Sequence, residues 1–195
     1  MDALASLPSI GRKSARKLAF YMLDQDQKYI HDFTNRILNA KKNIKKCLAC
    51  NNISQTLICS ICSNKNRDHS SLCVIASIED LDKIESSGTY NGLYFVLNGE
   101  LANKKNNSEI VEVNIMELKN RIKEDSKIQN IIIATNFSYS GEYTANYILN
   151  VLNQFNINIF RIGFGLPLNS SLDYADNETL KHAFGNKRII KKGQE

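Results

Sequence analysis

The chain has 195 residues, 43% of them apolar, with 25 Lys and Arg against 20 Asp and Glu for a net charge of +5. That is enough apolar material to bury a core in one large or two to three small domains. No apolar run approaches the roughly 20 residues of a membrane helix, and the N-terminus has no signal-peptide pattern, so the sequence predicts a cytoplasmic chain with reduced thiols and no membrane span. The charge is uneven. Residues 1–70 carry 12 Lys and Arg against 5 Asp and Glu, and the remainder 13 against 15. Nucleic acid, if bound, is expected at the first third.

In chain order, the turn Pro8-Ser9-Ile10-Gly11 leads into a helix with Ala15, Leu18, Ala19 and Met22 on one face, spaced i, i+3, i+4, i+7. A second helix is predicted from about Lys28 to Lys46, with Ile30, Phe33, Ile37 and Ile44 inward and a Lys-rich last turn that suits the helix dipole. Four cysteines follow. From Leu72 strands alternate with helices: "LCVIA", the helix "SIEDLDKIESSG" with Ser77 and Asp80 as capping box, "GLYFVLN", a polar loop from Gly99 to Ser108, the helix "VNIMELKNRIKED", the strand from Ile131 to Ala134 with its following helix, and "NINIFRIGF". A short helix and an extended tail complete the chain. This alternation predicts an α/β fold with a mostly parallel sheet covered by helices.

Cys47-x2-Cys50 and Cys59-x2-Cys62 form two knuckles eight residues apart, the spacing of a tetrahedral zinc site. Four thiolates leave no coordination position for water or substrate, so Zn2+ here is expected to be structural. The alternative, two disulfides, conflicts with a reducing compartment. The segment is too small to fold on apolar burial alone, and the metal is expected to brace the helical N-terminal part against the α/β part. Cys73 reads as a buried thiol, and His31, His69 and His182 are isolated.

Arg12, Lys13, Arg16 and Lys17 cluster at the start of the first long helix. Unsatisfied N–H groups there and the four cations suit DNA phosphate without reading bases. A dimerising hairpin with solvated cations is the alternative. In the second half, the loop after Ile131–Ala134 lies where α/β sheets bind ligands, at a strand's carboxyl end.

Taken together, "LPSIGRKSARKLAFYML", the four cysteines, "ATNFSYSGEYTANYI" and "RIGFGLPLNSSLDYADNETL" closely resemble the RecR family of bacterial recombination mediators. The resemblance implies an α/β multidomain chain: a helix-hairpin-helix over 1–46, a four-cysteine zinc finger over 47–62, a Toprim domain over 71–166 and a short C-terminal extension over 167–195. It further implies a homo-oligomer, dimer or tetrameric ring, that clamps DNA and acts with RecO and RecF in recombinational DNA repair, helping to load RecA on gapped DNA. The family's basic residues fall on Lys13 and Lys17, with Arg12 and Arg16 adding charge. Its zinc ligands fall on Cys47, Cys50, Cys59 and Cys62. Its partner-binding loop falls on Ser140, Gly141 and Glu142, and its C-terminal signature on Gly165, Pro167, Asp176, Thr179 and Leu180. The chain departs at Ser9, where the hairpin turn usually has Gly, at Ala76, where the first Toprim strand usually ends in Glu, and at Ser140, where a loop carboxylate is lost.

Catalytic Toprim domains hold magnesium with a Glu after the first strand and an Asp-x-Asp pair after a later one. The corresponding positions here are Ala76 and Thr135-Asn136-Phe137, too poor in hard anionic oxygens for such a site. No catalytic residue is expected. A magnesium-dependent nuclease or primase using Glu142, with Glu79 nearby, and a protein adaptor whose basic helix only dimerises, are the other readings.

Overall fold

The computed structural model describes residues 1–101, 108–163, 165–166, 169 and 171–186. They fall into two compact units, one of residues 1–48 and 52–60, the other of residues 49–51 and the chain from Ile61 onward.

The first unit is helical. A short α1 (Asp2–Ala5) precedes the turn in which Ser9 takes a left-handed backbone at φ 64°. That conformation costs a residue with a Cβ about 1 kcal/mol, so the glycine missing from this turn is felt. α2 spans Arg12–Asp24 and α3 Gln27–Asn43, the latter capped by Asp26, whose carboxylate accepts the Tyr29 N–H at 2.6 Å. α3 stops earlier than its sequence suggests, because Lys45–Lys46 leave the helix to form β1, antiparallel to β2 (Ile53–Ser54). The expected inward face of α3 is not a core. Phe33, Ile37 and Ile44 are all more than a third exposed, as are Leu18, Phe20, Tyr21 and Leu23 of α2. Tyr29 stacks on Phe33 with ring centroids 6.4 Å apart. The amphipathic pattern is real, but within a single copy of this unit there is too little chain to cover it.

The second unit is built on a parallel four-stranded sheet in the order β4-β3-β5-β6, with β3 at Asp68–Ile75, β4 at Gly92–Val96, β5 at Asn130–Ala134 and β6 at Asn158–Arg161. α4 (Ser60–Ser63) precedes the sheet; α5 (Ile78–Ser87), α6 (Ser108–Glu124) and α7 (Tyr139–Leu152) link or follow its strands. Alternating β3 residues serve opposite faces. Leu72 and Val74 pack with Val111, Ile115 and Leu118 of α6 and Ile148 and Leu152 of α7; Cys73 and Ile75 pack with Tyr94, Val96 and Leu81 of α5. The expected Ser77–Asp80 capping box is present, with Ser77 N–H donating to the Asp80 carboxylate at 2.9 Å. β3 begins before Leu72, β6 is shorter than its apolar run, and α6 begins at Ser108 rather than Val113.

The expected polar loop from Gly99 to Ser108 lies mostly outside the described residues, as do Pro167 and the tail after Asn186. Where its start is described, it is not solvated: Leu101 is buried and its N–H donates to Thr144 Oγ1 at 2.8 Å. A short 3-10 turn (Leu172–Tyr174) and α8 (Asn177–Gly185) close the description.

Ile75 pairs with Val96 on one side and Ala134 on the other, so β3, β4 and β5 end level. The chain leaves β3 toward β4 on one flank, whereas β5 lies on the other. Between β3 and β5 is therefore the switch point at which such sheets take ligands.

Candidate functional site

Three places carry the chemistry expected from sequence, and each belongs to a different local geometry. At the start of α2, Arg12, Lys13, Arg16 and Lys17 are all exposed. α3, α5, α7 and α8 each begin at a residue whose side chain accepts a first-turn N–H, respectively Asp26, Ser77, Ser138 and Asp176. α2 begins instead at Gly11, with no side-chain cap and no acid in its first turn. Cations at a helix N-terminus oppose the dipole. This end gathers positive charge from both side chains and backbone, and an anion relieves both. Arg16 also lies over the Phe20 ring, 5.5 Å from its centroid, which orients one of the four cations.

The four cysteines come together: one Sγ from each of Cys47, Cys50, Cys59 and Cys62 lies within 4.8 Å of all the others, and three of the four residues are buried. No disulfide joins them. Sulfurs at 2.3 Å from a tetrahedral zinc are about 3.8 Å apart, so the set fits a metal ion with little adjustment. The backbone is shaped for it. Cys47 N–H donates to the Asn52 carbonyl at 2.7 Å, Asn51 turns the knuckle in the left-handed region at φ 62°, and Cys59 N–H donates to Cys47 Sγ at 3.3 Å. The tip of the first knuckle is anchored through its carbonyls, Cys50 O accepting from Val96 N–H at 2.9 Å and Ala49 O from Arg121 Nη1 at 2.6 Å. The fifth thiol, Cys73, is buried in the sheet and its pKa is pushed up to about 12 by desolvation and by nearby Asp80.

The switch-point corner is the third place. A cleft of about 440 Å³ is lined by Ala76, Glu79, Asn98, Gly99, Glu100 and Asn136 among others. Sequence reasoning missed its central residue. Glu100, only 8% exposed, turns its carboxylate onto the loop before α7. It accepts from Asn136 N–H at 2.9 Å, from Ser140 Oγ at 2.8 Å and from Ser138 Oγ at 3.3 Å. It thus sits at the positive end of α7, where an anion is stabilised. Arg161, also missed, grips the same loop from the β6 side. Its guanidinium donates to the carbonyls of Ile133, Thr135 and Asn136 and to Glu142 Oε1 at 2.8 Å, and lies 4.3 Å from the Phe137 ring centroid. The Asn136 peptide is therefore held at its N–H by a carboxylate and at its carbonyl by a guanidinium.

The expected loop residues take up positions that explain their types. Ser140 is half-buried and spends its hydroxyl on Glu100. Gly141 is buried so tightly that a Cβ would lie 1.9 Å from the Asn136 carbonyl oxygen and 2.9 Å from Glu100 Oε1; only glycine permits this approach. Glu142 is paired with Arg161, and Glu79 lines the cleft. Asp176 and Thr179 cap α8, Thr179 donating to the Asp176 carboxylate from N–H at 2.9 Å and from Oγ1 at 2.7 Å. Those hydrogen bonds hold the Asp176 carboxyl below the usual carboxylate range.

A second charged network lies away from the cleft. Arg67 forms a two-pronged bond to Glu85, at 2.8 and 2.6 Å, and donates to the Gly92 carbonyl at 2.9 Å, while Tyr94 donates its hydroxyl to Glu85. The Arg67 guanidinium holds the Glu85 carboxyl below its ordinary range, against partial burial and with help from Tyr94. This network ties β3, α5 and β4 together and faces no cleft residue. Among the described residues, no helix is long and apolar enough to cross a membrane.

The chain matches known family models segment by segment. Residues 1–41 match the model of the RecR helix-hairpin-helix, residues 70–163 that of the Toprim domain, and residues 165–188 that of the RecR C-terminal region. The chain is 50% identical over 192 residues to Recombination protein RecR of Ureaplasma urealyticum serovar 10, covering 98% of this chain and 94% of that protein. It is 49% identical over the same length to Recombination protein RecR of Ureaplasma parvum serovar 3. With Recombination protein RecR of Francisella tularensis subsp. novicida it shares 42% identity over 188 residues, 94% of this chain and 90% of that protein. A hairpin with a basic, uncapped helix start, a four-cysteine cluster and a Toprim sheet, in this order and over nearly the full length of these relatives, place the chain in the RecR family.

Proposed function

We propose that this protein is a DNA-binding, clamp-like recombination mediator without chemistry of its own. In this reading it acts in the cytoplasm with RecO and RecF in recombinational DNA repair, helping to load RecA on gapped DNA. The observation that carries the DNA half is the start of α2, where Arg12, Lys13, Arg16 and Lys17 surround a helix end with no side-chain cap. Phosphate is the anion that satisfies both the cations and the free N–H groups, and such binding is independent of sequence. The hairpin of residues 1–46 contacts DNA; the segment 47–62 holds one structural Zn2+ through Cys47, Cys50, Cys59 and Cys62; the Toprim part, 71–166, carries the partner-binding loop around Ser140, Gly141 and Glu142; and 167–195 forms a C-terminal extension.

Self-association follows from the apolar residues that α2 and α3 leave exposed, since surface of that kind marks an interface. A second copy of the same helices supplies the missing cover, giving a dimer that can close further into a tetrameric ring.

The carboxylates of the Toprim corner argue against magnesium chemistry. Glu100 already accepts from three donors of the loop before α7 and its first turn, and Glu142 Oε1 is paired with Arg161. Neither offers the unengaged pair of hard oxygens that a phosphoryl-transfer metal requires.

The test is a salt titration of binding to a gapped duplex. Lys13→Ala plus Lys17→Ala is expected to weaken affinity uniformly across sequences and to flatten the salt slope by about two per chain engaged. Unchanged affinity and slope in that double variant would refute DNA binding through this hairpin.

A further inference from the structure

We propose that the docking surface of the Toprim corner is aromatic: Tyr139 and Tyr143 are the contact residues for a protein partner that presents an arginine or lysine beside an aliphatic side chain. This rests on the partner-binding reading of the loop given above and assigns its chemistry.

The loop residues named for partner contact offer little outward. The Ser140 hydroxyl is engaged by Glu100, Gly141 is buried, and the Glu142 carboxylate is engaged by Arg161. What faces outward is the pair Tyr139, 84% exposed, and Tyr143, 50% exposed. They are four residues apart on α7 and so share one face of its first two turns. Large exposed rings fixed on a rigid base are the usual anchors of an interface. The base is rigid here because the preceding loop is held at both edges, by Glu100 and by Arg161. Little ordering entropy is then lost when a partner docks.

Charge selects the partner. The electron-rich ring faces attract a cation, and Glu79, exposed on the cleft wall, adds negative charge to the same corner. Stacking of nucleic-acid bases on such rings requires a positively charged track for the phosphates, whereas residues 71–195 carry 13 Lys and Arg against 15 Asp and Glu. A basic, partly aliphatic protein segment is complementary; a phosphate backbone is not.

The experiment uses the full chain with RecO of the same organism as the protein probe and an oligothymidylate as the nucleic-acid probe, each titrated at fixed salt. Tyr139→Ala plus Tyr143→Ala is expected to weaken RecO binding at least tenfold and to leave oligothymidylate binding within threefold. Tyr139→Phe plus Tyr143→Phe, which keeps the rings, is expected to stay within threefold for both. Should the alanine pair fold poorly, Tyr139→Ser alone, at the more exposed position, is expected to weaken RecO binding at least threefold. An alanine pair that binds RecO as the wild type does, or that loses oligothymidylate instead, overturns the assignment. If the wild-type chain itself ignores RecO, the partner reading falls and this surface with it, a failure visible before any variant is made.

Discussion

Glu100→Ala is the substitution that most directly tests the geometry of the Toprim corner. Its carboxylate accepts two close bonds, from Asn136 N–H at 2.9 Å and Ser140 Oγ at 2.8 Å, and a longer one from Ser138 at 3.3 Å. Ser138 is exposed, and water replaces its lost partner. The two close bonds are worth about 1.5–3 kcal/mol each because the acceptor is charged. Against this stands the relief of no longer holding a carboxylate at 8% exposure, which offsets about half of that sum in a site that opens on the cleft. The net loss is about 2 kcal/mol, and it is local, since the bonds tie one loop to one strand end. Local loss of that size is read by hydrogen exchange at single amides, where about 2 kcal/mol corresponds to roughly thirtyfold faster exchange. The Asn136 and Gly141 amides are expected to accelerate by that factor, while amides at the centre of β3 change little. Glu100→Gln, which retains one acceptor oxygen, is expected to fall about midway. If Asn136 exchanges at the wild-type rate in Glu100→Ala, the carboxylate does not hold the loop and the account of this corner is wrong.

Zinc analysis of the purified chain is expected to give one ion per chain; its removal by a chelator should release four reactive thiols and unfold the β1–β2 knuckle, because metal binding supplies most of the folding free energy of so small a segment. Cys73, with its thiol pushed up to about 12 by burial, should stay unreactive in the same alkylation assay at neutral pH, and a fifth thiol reacting with the four would contradict its placement. Arg67→Ala should cost about 2–3 kcal/mol in urea unfolding, less than for a fully buried pair because the Glu85 side chain keeps 30% exposure. Because the folded-state pKa of Glu85 is depressed, its contribution is complete above the unfolded value, near 4.5, and is lost as pH falls through the folded one. The wild-type midpoint should therefore drop on acidification by an increment that Arg67→Ala lacks. Ser9→Gly should raise the thermal midpoint by the equivalent of about 0.5–1 kcal/mol, since φ 64° suits glycine; a lower midpoint would mean the hairpin turn is not strained.

Much of the second unit was legible because its signals are local. β-branched runs such as Ile131–Ile133 can be buried on both faces only in a parallel sheet covered by helices, and Ser77 with Asp80 marks a helix start within three residues. The cysteine spacing carries its own geometry, and the cluster forms as the spacing implies. The α3 face was misjudged for the opposite reason. Periodicity reports that Phe33 and Ile37 need cover but not whether the same chain provides it, and the described residues do not. Glu100 and Arg161 escaped because their partners are 36–40 and 19–28 residues away in sequence. Glu100 sits in a polar run with no periodicity, and Arg161 in a short strand where one cation is unremarkable.

The position of Glu100 changes what the loss of the loop acid means. Read along the chain, Ser140 removes a carboxylate from the Toprim corner, which suggests a weakened site. In three dimensions the serine hydroxyl donates to Glu100, so a carboxylate remains within hydrogen-bond reach of the same loop position but enters from the end of β4 and faces inward. An outward acid attracts cations from solution or a partner; an inward acid spends its charge on the loop's own donors and on the positive end of α7. Ser140 is therefore structural in this chain, its hydroxyl holding the loop through Glu100. What the held loop leaves exposed on the first turns of α7 is Tyr139 and Tyr143, the pair proposed above as the contact surface.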